Sequence, residues 1–335
     1  MASRLYLSVV VKFNKKVVSR IIMVGIVSLF VWYFLTNLKD FSLLLTINPL
    51  FVVLLLLLSV LAIISNGIFM KWSIFLFGKY IGVGESIRVS LISSAGNFFA
   101  PAGSGLGFRA IYLKRKHGLS YSDYLSVLFC NYIMVFFVNS LVGLLSLFIL
   151  RDHVSSGFWV LAIFFTALFV TSIGAFLVRP KWDSSGRYYK QKWVRGLLET
   201  LKRISQGWTL ILSNKRIATG LIGLVAFNAG MMILGSYFIM SSLGLNLSLG
   251  GLMLYAVLGS LSIFINITPG NLGVKEAVYV GFSVIIGLTT AQILSMALID
   301  RVVTFVVLFV LWLIYGKNLL SSATKKYIDL DKDKA

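Results

Sequence analysis

Five ionisable residues sit where a strongly apolar sequence should not hold them: Arg109, Lys275, Glu276, Asp300 and Arg301. Lys275 and Glu276 lie inside "NITPGNLGVKEAVYV", residues 266 to 280, behind a Pro-Gly break, and Arg109 follows the comparable stretch "PAGSGLGF". A charge at a bilayer centre costs about 2.5 to 3.5 kcal/mol on insertion scales, so such residues face cavities and pair with one another. Where a break opens a helix, its free N-terminal amides add a preference for anions. The chemistry this set offers is the binding of an anionic group: Arg109, Lys275 and Arg301 meet it, and Glu276 and Asp300 orient those cations. The same residues suit a structural ion-pair network that fastens a bundle. Arg109 is also long enough to snorkel to the cytoplasmic face. No nucleophile and base at usable spacing accompany them, which points away from an enzyme. His117 and His153 have no ligand-spaced partners, so neither a metal nor another cofactor is expected.

The elements that must position these groups are membrane helices. Hydrophobic residues make up 58% of 335 positions and charged residues only 13%, against roughly 25% charged in a soluble domain. Apolar runs long enough for the roughly 20 residues that cross a bilayer recur from Ile21 almost to Gly316. The chain reads as a single integral membrane domain, 1–335. The run from Ile21 follows a basic stretch, as a signal peptide would, but it is long and lacks a small-residue cleavage site, so a retained first helix is expected. Cys130 is the single cysteine, which excludes an intrachain disulfide.

A net charge of +20 suggests nucleic acid in a soluble protein, but in a membrane the positions of Lys and Arg report topology, because basic loops stay cytoplasmic. Five of them fall in residues 1–20, three between Lys71 and Arg88, four between Arg109 and Lys116, ten between Arg179 and Arg216, and five after Gly316, together 27 of 31. All can lie on one side. Lys39-Asp40 and Arg151-Asp152 are balanced and 243–248 is uncharged, so these connections are expected outside. Both termini then lie in the cytoplasm of a multi-pass protein of the cell (plasma or inner) membrane. The segment 179–215 reads as a cytoplasmic basic amphipathic loop with an interfacial helix, and 317–335 as a cytoplasmic tail without a fold of its own.

The apolar stretch 89–108 has basic loops at both ends, so it is expected to enter and return rather than span. A half-helix from about Ile87 to Phe98, a break and a returning helix from Gly107 make a re-entrant hairpin. The segment 249–287 makes a second, with a half-helix to about Phe264 and a return to Leu288. Irregular backbone at that depth must be buried in protein or line a wet cavity, so Pro101, Gly103, Gly105, Gly107, Pro269, Gly270 and Gly273 are expected to line the site. The two hairpins also align: "FAPAGSGLGFRAIYL" with "NITPGNLGVKEAVYV", and then "LSYSDYLSVLFCN" with "LTTAQILSMALID" without a gap, which sets Asn131 opposite Asp300. One copy opens inward and the other outward. The expected fold is an all-α polytopic membrane protein of about six spanning helices plus two re-entrant hairpins, an inverted-topology repeat with halves at about 47–150 and 216–316. Transporters built this way bind at the midplane between broken helices.

"PAGSGLGFR" from Pro101, "TPGNLGVKE" from Thr268 and the Asp300-Arg301 pair resemble the membrane domain shared by bacterial lysylphosphatidylglycerol synthase/flippases, the multiple peptide resistance factors, and stand-alone flippase-like proteins. The resemblance covers nearly the whole chain. It implies two inverted re-entrant repeats and translocation of lipid or lipid-linked sugar. Lys275 stands where the family often has Arg, and the first repeat has no carboxylate matching Glu276. Synthase activity belongs to a soluble domain of the longer relatives and does not carry over.

The function expected is therefore a flippase or transporter of an anionic phospholipid or polyprenyl-phosphate-linked sugar, by alternating access around a charged midplane cavity. The alternative is a non-transporting subunit or enzyme of lipid or cell-surface glycan modification. The partners expected are an anionic membrane lipid or lipid-linked sugar and an enzyme of lipid or glycan modification, with no nucleic acid. "GSGLG" has no strand before it and is not read as a nucleotide loop. Asp329, Asp331 and Asp333 read as solvated tail.

Overall fold

The computed structural model describes residues 35, 47–99, 103–151, 156–177, 192–265 and 268–332. The expected first helix from Ile21, the outer connection at Lys39-Asp40, Pro101 and the loop 179–191 lie outside them. Every element among the described residues is helical: α1 Pro49–Phe75, α2 Val83–Phe99, α3 Ser104–His117, α4 Tyr121–Ile149, α5 Ser156–Leu177, α6 Lys192–Ser213, α7 Lys215–Ser242, α8 Leu249–Ser262, α9 Val274–Gly281, α10 Ser283–Ile286 and α11 Thr290–Lys332. Short 3-10 turns at Ile263–Ile265 and Pro269–Asn271 separate α8 from α9.

Length and hydropathy make α1, α4, α5, α7 and the first half of α11 candidate membrane spans, from 21 to 29 residues each. Large apolar side chains such as Leu57, Phe148 and Ile163 stand on their outer faces, as a lipid solvent permits. Local signals set the ends. Asn48 caps α1 through its side chain, with Pro49 in the first turn, where a missing N–H costs nothing. Ser120 and Asn214 cap α4 and α7 in the same way.

The packing is reciprocal. α1 lies along α7, α4 along α8, and α11 against both α1 and α2. Asn48 donates its backbone N–H to the Ser242 carbonyl at 3.3 Å at one end of the α1–α7 pair. Further along, Ser59 and Ser236 turn their hydroxyls to carbonyls of their own helices, Leu55 and Met232. The largest apolar core joins α4, α5, α7, α8, α9 and α11, with Phe165 of α5 seated against Gly143 of α4.

α2 and α3 form a tight antiparallel pair. Their backbones touch at Gly96 and Gly105, where a side chain on either would strike the other arm. Ser93 Oγ donates to the Gly105 carbonyl at 2.8 Å, and Gly105 N–H donates to Asn97 Oδ1 at 3.0 Å. At the open end one Glu85 oxygen accepts from Tyr112 Oη, Lys116 Nζ and His117 Nε2 at 2.6, 2.8 and 2.9 Å. Burial pushes the Glu85 carboxyl up, but the hydrogen bonds from Lys116, Tyr112 and His117 outweigh it and hold the group at about 2. His117, solitary in sequence, thus has a partner.

Three elements depart from the sequence reading. α2 begins at Val83 rather than Ile87, and α3 at Ser104 rather than Gly107. The reason for the second shift is Gly103, whose φ of 68° supplies the left-handed residue that starts the helix; Gly105 and Gly107 are consequently helical, not part of the break. α11 continues to Lys332, through the stretch read as a tail without a fold. α6 is the helix expected in the basic segment, and a half of it is docked on the bundle: Trp208 is buried between Phe129 and Phe176 and donates Nε1–H to the Ala175 carbonyl at 2.9 Å.

Candidate functional site

The second break is held in shape by its own side chains. Asn271 is buried at φ 58°, a left-handed conformation that asparagine tolerates better than most residues. Its Nδ2 donates to the Ser262 carbonyl at 2.7 Å, and Thr268 Oγ1 donates to the Leu272 carbonyl at 2.7 Å. Gly273, at φ 82°, then opens α9 and donates its N–H to Glu276 Oε2 at 2.8 Å. That is the N3 half of a capping box. The glutamate therefore satisfies a free amide of its own helix.

Arg301 completes this arrangement from α11. Its Nη2 and Nε reach Glu276 Oε1 at 2.6 and 2.8 Å, and its Nη1 and Nη2 donate to the carbonyls of Gly270 and Asn271 at 3.0 and 3.4 Å. The planar fork of arginine can serve carboxylate and carbonyls at once. Gly270 in turn abuts the Phe98 carbonyl at the end of α2, so the two hairpin tips meet.

Lys275 and Asp300 pair separately, Nζ to Oδ2 at 2.7 Å. They stand at the wall of a cavity of about 290 Å³ lined by α1, α4, α7, α8, α9 and α11. Asn66, Asn131, Asn139 and Asn228 also line it, with Tyr255 and Tyr279 stacked beside Lys275 at 4.0 Å between ring centroids. Asn228 Oδ1 is buried without a hydrogen-bond partner.

Arg109 is placed apart, in α3. It lines a smaller pocket of about 30 Å³ with Tyr124, Asn66 and Asn131, the last two shared with the large cavity. Its Nε is buried with no hydrogen-bond partner. Among the described residues it forms no ion pair.

The five ionisable residues thus fall into three groups: Lys275 with Asp300 on the cavity, Glu276 with Arg301 behind it at the break, and Arg109 in the adjoining pocket. The described break residues Gly103, Gly105, Gly107, Pro269, Gly270 and Gly273 do not line the large cavity; they shape the hairpins beside it. The asparagines were not anticipated, although the alignment that sets Asn131 opposite Asp300 contains one of them. Among the described residues no cluster of His, Cys, Asp and Glu suits a metal ion. What the site offers is a dipolar chamber, rich in amides and with one balanced ion pair, that adjoins one unbalanced cation.

A family model described as "Lysylphosphatidylglycerol synthase TM region" matches residues 20–311. No curated protein and no solved structure matches the chain.

Proposed function

Since this chain belongs to the lysylphosphatidylglycerol synthase TM-region family, we propose that it carries a lipid with an anionic headgroup across the bilayer, either a phospholipid or a polyprenyl-phosphate-linked sugar. The observation that carries this reading is the cavity of about 290 Å³ between the apolar helices, with Lys275, Asp300 and four asparagines on its wall. Asparagines, a lysine and an aspartate are costly inside a bundle that faces lipid, and such groups mark pathways for polar cargo.

In this reading the chain has six spans, counting the helix from Ile21, and α2–α3 and α8–α10 are re-entrant hairpins of an inverted repeat. The order of elements supports it. In each half a long helix, α1 or α7, leads to a shorter one, then to a break closed by a glycine of positive φ, Gly103 or Gly273, then to a short returning segment, α3 or α9–α10, and then to a second long helix, α4 or α11. The packing supports it too, since α4 lies on α8 as α11 lies on α2. Rocking of one half against the other would open the cavity alternately to each side. The clustering of Lys and Arg supports a cell-membrane protein with both termini on the cytoplasmic side, and we read the chain as a carrier rather than an enzyme.

Reconstitution tests the proposal. Purified protein in vesicles containing a fluorescently labelled phosphatidylglycerol should speed the exchange of label between leaflets, read by a quencher that reaches only the outer one. Exchange no faster than in empty vesicles, for this lipid and for a polyprenyl-phosphate sugar, would sink the carrier and leave a lipid-holding subunit of a modification enzyme.

A further inference from the structure

The two halves of the chain treat their buried cation differently. Asp300 lies ten positions beyond Thr290, the first residue of α11, and Asn131 lies ten positions beyond Tyr121, the first residue of α4. At 1.5 Å per residue both are about 15 Å along their helices, near the middle of a bilayer about 30 Å thick. Each is associated with a cation from the returning helix of its own hairpin: Lys275 for Asp300, and Arg109 for Asn131 in the small pocket. In the second half the carboxylate neutralises the lysine at 2.7 Å. In the first half an amide occupies the corresponding place, and an amide carries no charge.

We infer that the anionic group of the cargo is held in the first half alone, at Arg109, because Asn131 stands where the second half has a carboxylate. Lys275 and Arg301 are already matched by Asp300 and Glu276, whereas Arg109 has a buried Nε with no partner. The neighbouring groups suit an oxyanion. Asn66 and Asn131 can each donate two amide hydrogens, while the Tyr124 hydroxyl is already spent on the Leu106 carbonyl at 3.2 Å. Arginine with amide donors is an arrangement for phosphate. The pocket of about 30 Å³ holds two or three oxygen atoms, since a water needs roughly 10–15 Å³. The remainder of the ligand extends past Asn66 and Asn131 into the chamber of about 290 Å³ that they share. The ligand class is therefore a phosphate monoanion or diester, free or on a lipid headgroup. The assignment of the anion stands on this geometry, and only the lipid as its bearer rests on the carrier reading.

The test adds the missing carboxylate. The full chain in a neutral detergent would be titrated with dioctanoyl phosphatidylglycerol, and separately with inorganic phosphate, reading the rise in unfolding temperature. The wild-type protein should be protected by one or both. Asn131→Asp supplies a partner for Arg109 and should weaken that protection at least tenfold in ligand concentration. Asn246→Asp, which adds the same charge at an exposed loop residue, should not. Arg109→Gln should weaken protection equally, and size-exclusion profiles would establish that both site variants are folded. Protection that survives in either folded site variant overturns the assignment. Protection by phosphate as strong as by the lipid, lost in both site variants, keeps the anion site and counts against the lipid-carrier reading. Protection by the lipid alone, lost in both, supports the two together.

Discussion

Arg301 donates from Nη1 to the carbonyl oxygen of Gly270 at 3.0 Å, across 31 positions of sequence, while Nη2 of the same guanidinium lies 2.6 Å from Glu276 Oε1. A single side chain of α11 thus fixes both the tip of the break and the first turn of α9. Removing one partner of a buried pair leaves the other uncompensated, typically at about 3–5 kcal/mol. Arg301→Ala should lose stability on that scale. Arg301→Lys keeps the charge but not the fork, so it too should unfold at lower temperature, by a smaller margin. Thermal unfolding in detergent reads both; a lysine variant as stable as the wild type would mean that charge alone matters here.

Gly105 and Gly107 are two residues apart and should respond oppositely to alanine. A Cβ on Gly105 falls on the Ser93 carbonyl, whereas one on Gly107 meets nothing within 4 Å. Gly105→Ala should force α2 and α3 apart and lower yield and melting temperature. Gly107→Ala should be neutral or stabilise by about 0.5–1 kcal/mol, the usual difference within a helix. Equal effects would show that the hairpin is not closed at Gly105.

The Glu85 cluster predicts a specific loss in acid. Its carboxyl is held at about 2, below the ordinary 4.5, so the folded state favours the ionised form. The contribution is complete above the unfolded value and fades as pH falls from 4.5 toward 2. The melting-temperature gap between wild type and Glu85→Gln should hold steady above about pH 5 and close below it. A gap that stays constant into acid would remove Glu85 as its origin.

Orientation can be read with cysteines, because the single native one, Cys130, is buried. Asn246→Cys should react with an impermeant maleimide on intact cells. Ser213→Cys, at the end of α6, should react only after permeabilisation. Reaction of Ser213→Cys on intact cells would invert the orientation drawn from the basic clusters.

The breaks and the buried charges were legible because prolines, glycines and charges are conspicuous in apolar sequence. The pairing was not. Successive helical residues point about 100° apart, so Lys275 and Glu276 face different ways, as do Asp300 and Arg301. The partners cross between helices, Lys275 with Asp300 on the cavity and Glu276 with Arg301 at the break, and that depends on how each helix is rotated. The asparagines of the chamber were hidden for another reason: Asn66, Asn131 and Asn228 come from three helices and share no local spacing. The start of α3 was misjudged because Gly103, Gly105 and Gly107 look alike in sequence, while φ is positive only at Gly103 among the three. The amphipathic character of α6 was plain, but a sequence does not say whether lipid or protein covers its apolar side.

The backbone bond from Asn48 to Ser242 gives the α1–α7 pair a mechanical character. Among the described residues it is the one hydrogen bond between them; Ser59 and Ser236 spend their hydroxyls within their own helices, and the apolar contacts alongside have little directionality. A tilt of α1 that kept this one polar contact would turn about Asn48, with the helix as its lever. Asn66 lies 18 residues from that pivot, about 27 Å along the helix axis. A tilt of about 5° there carries the carboxamide roughly 2 Å, which is enough to make or release a hydrogen bond.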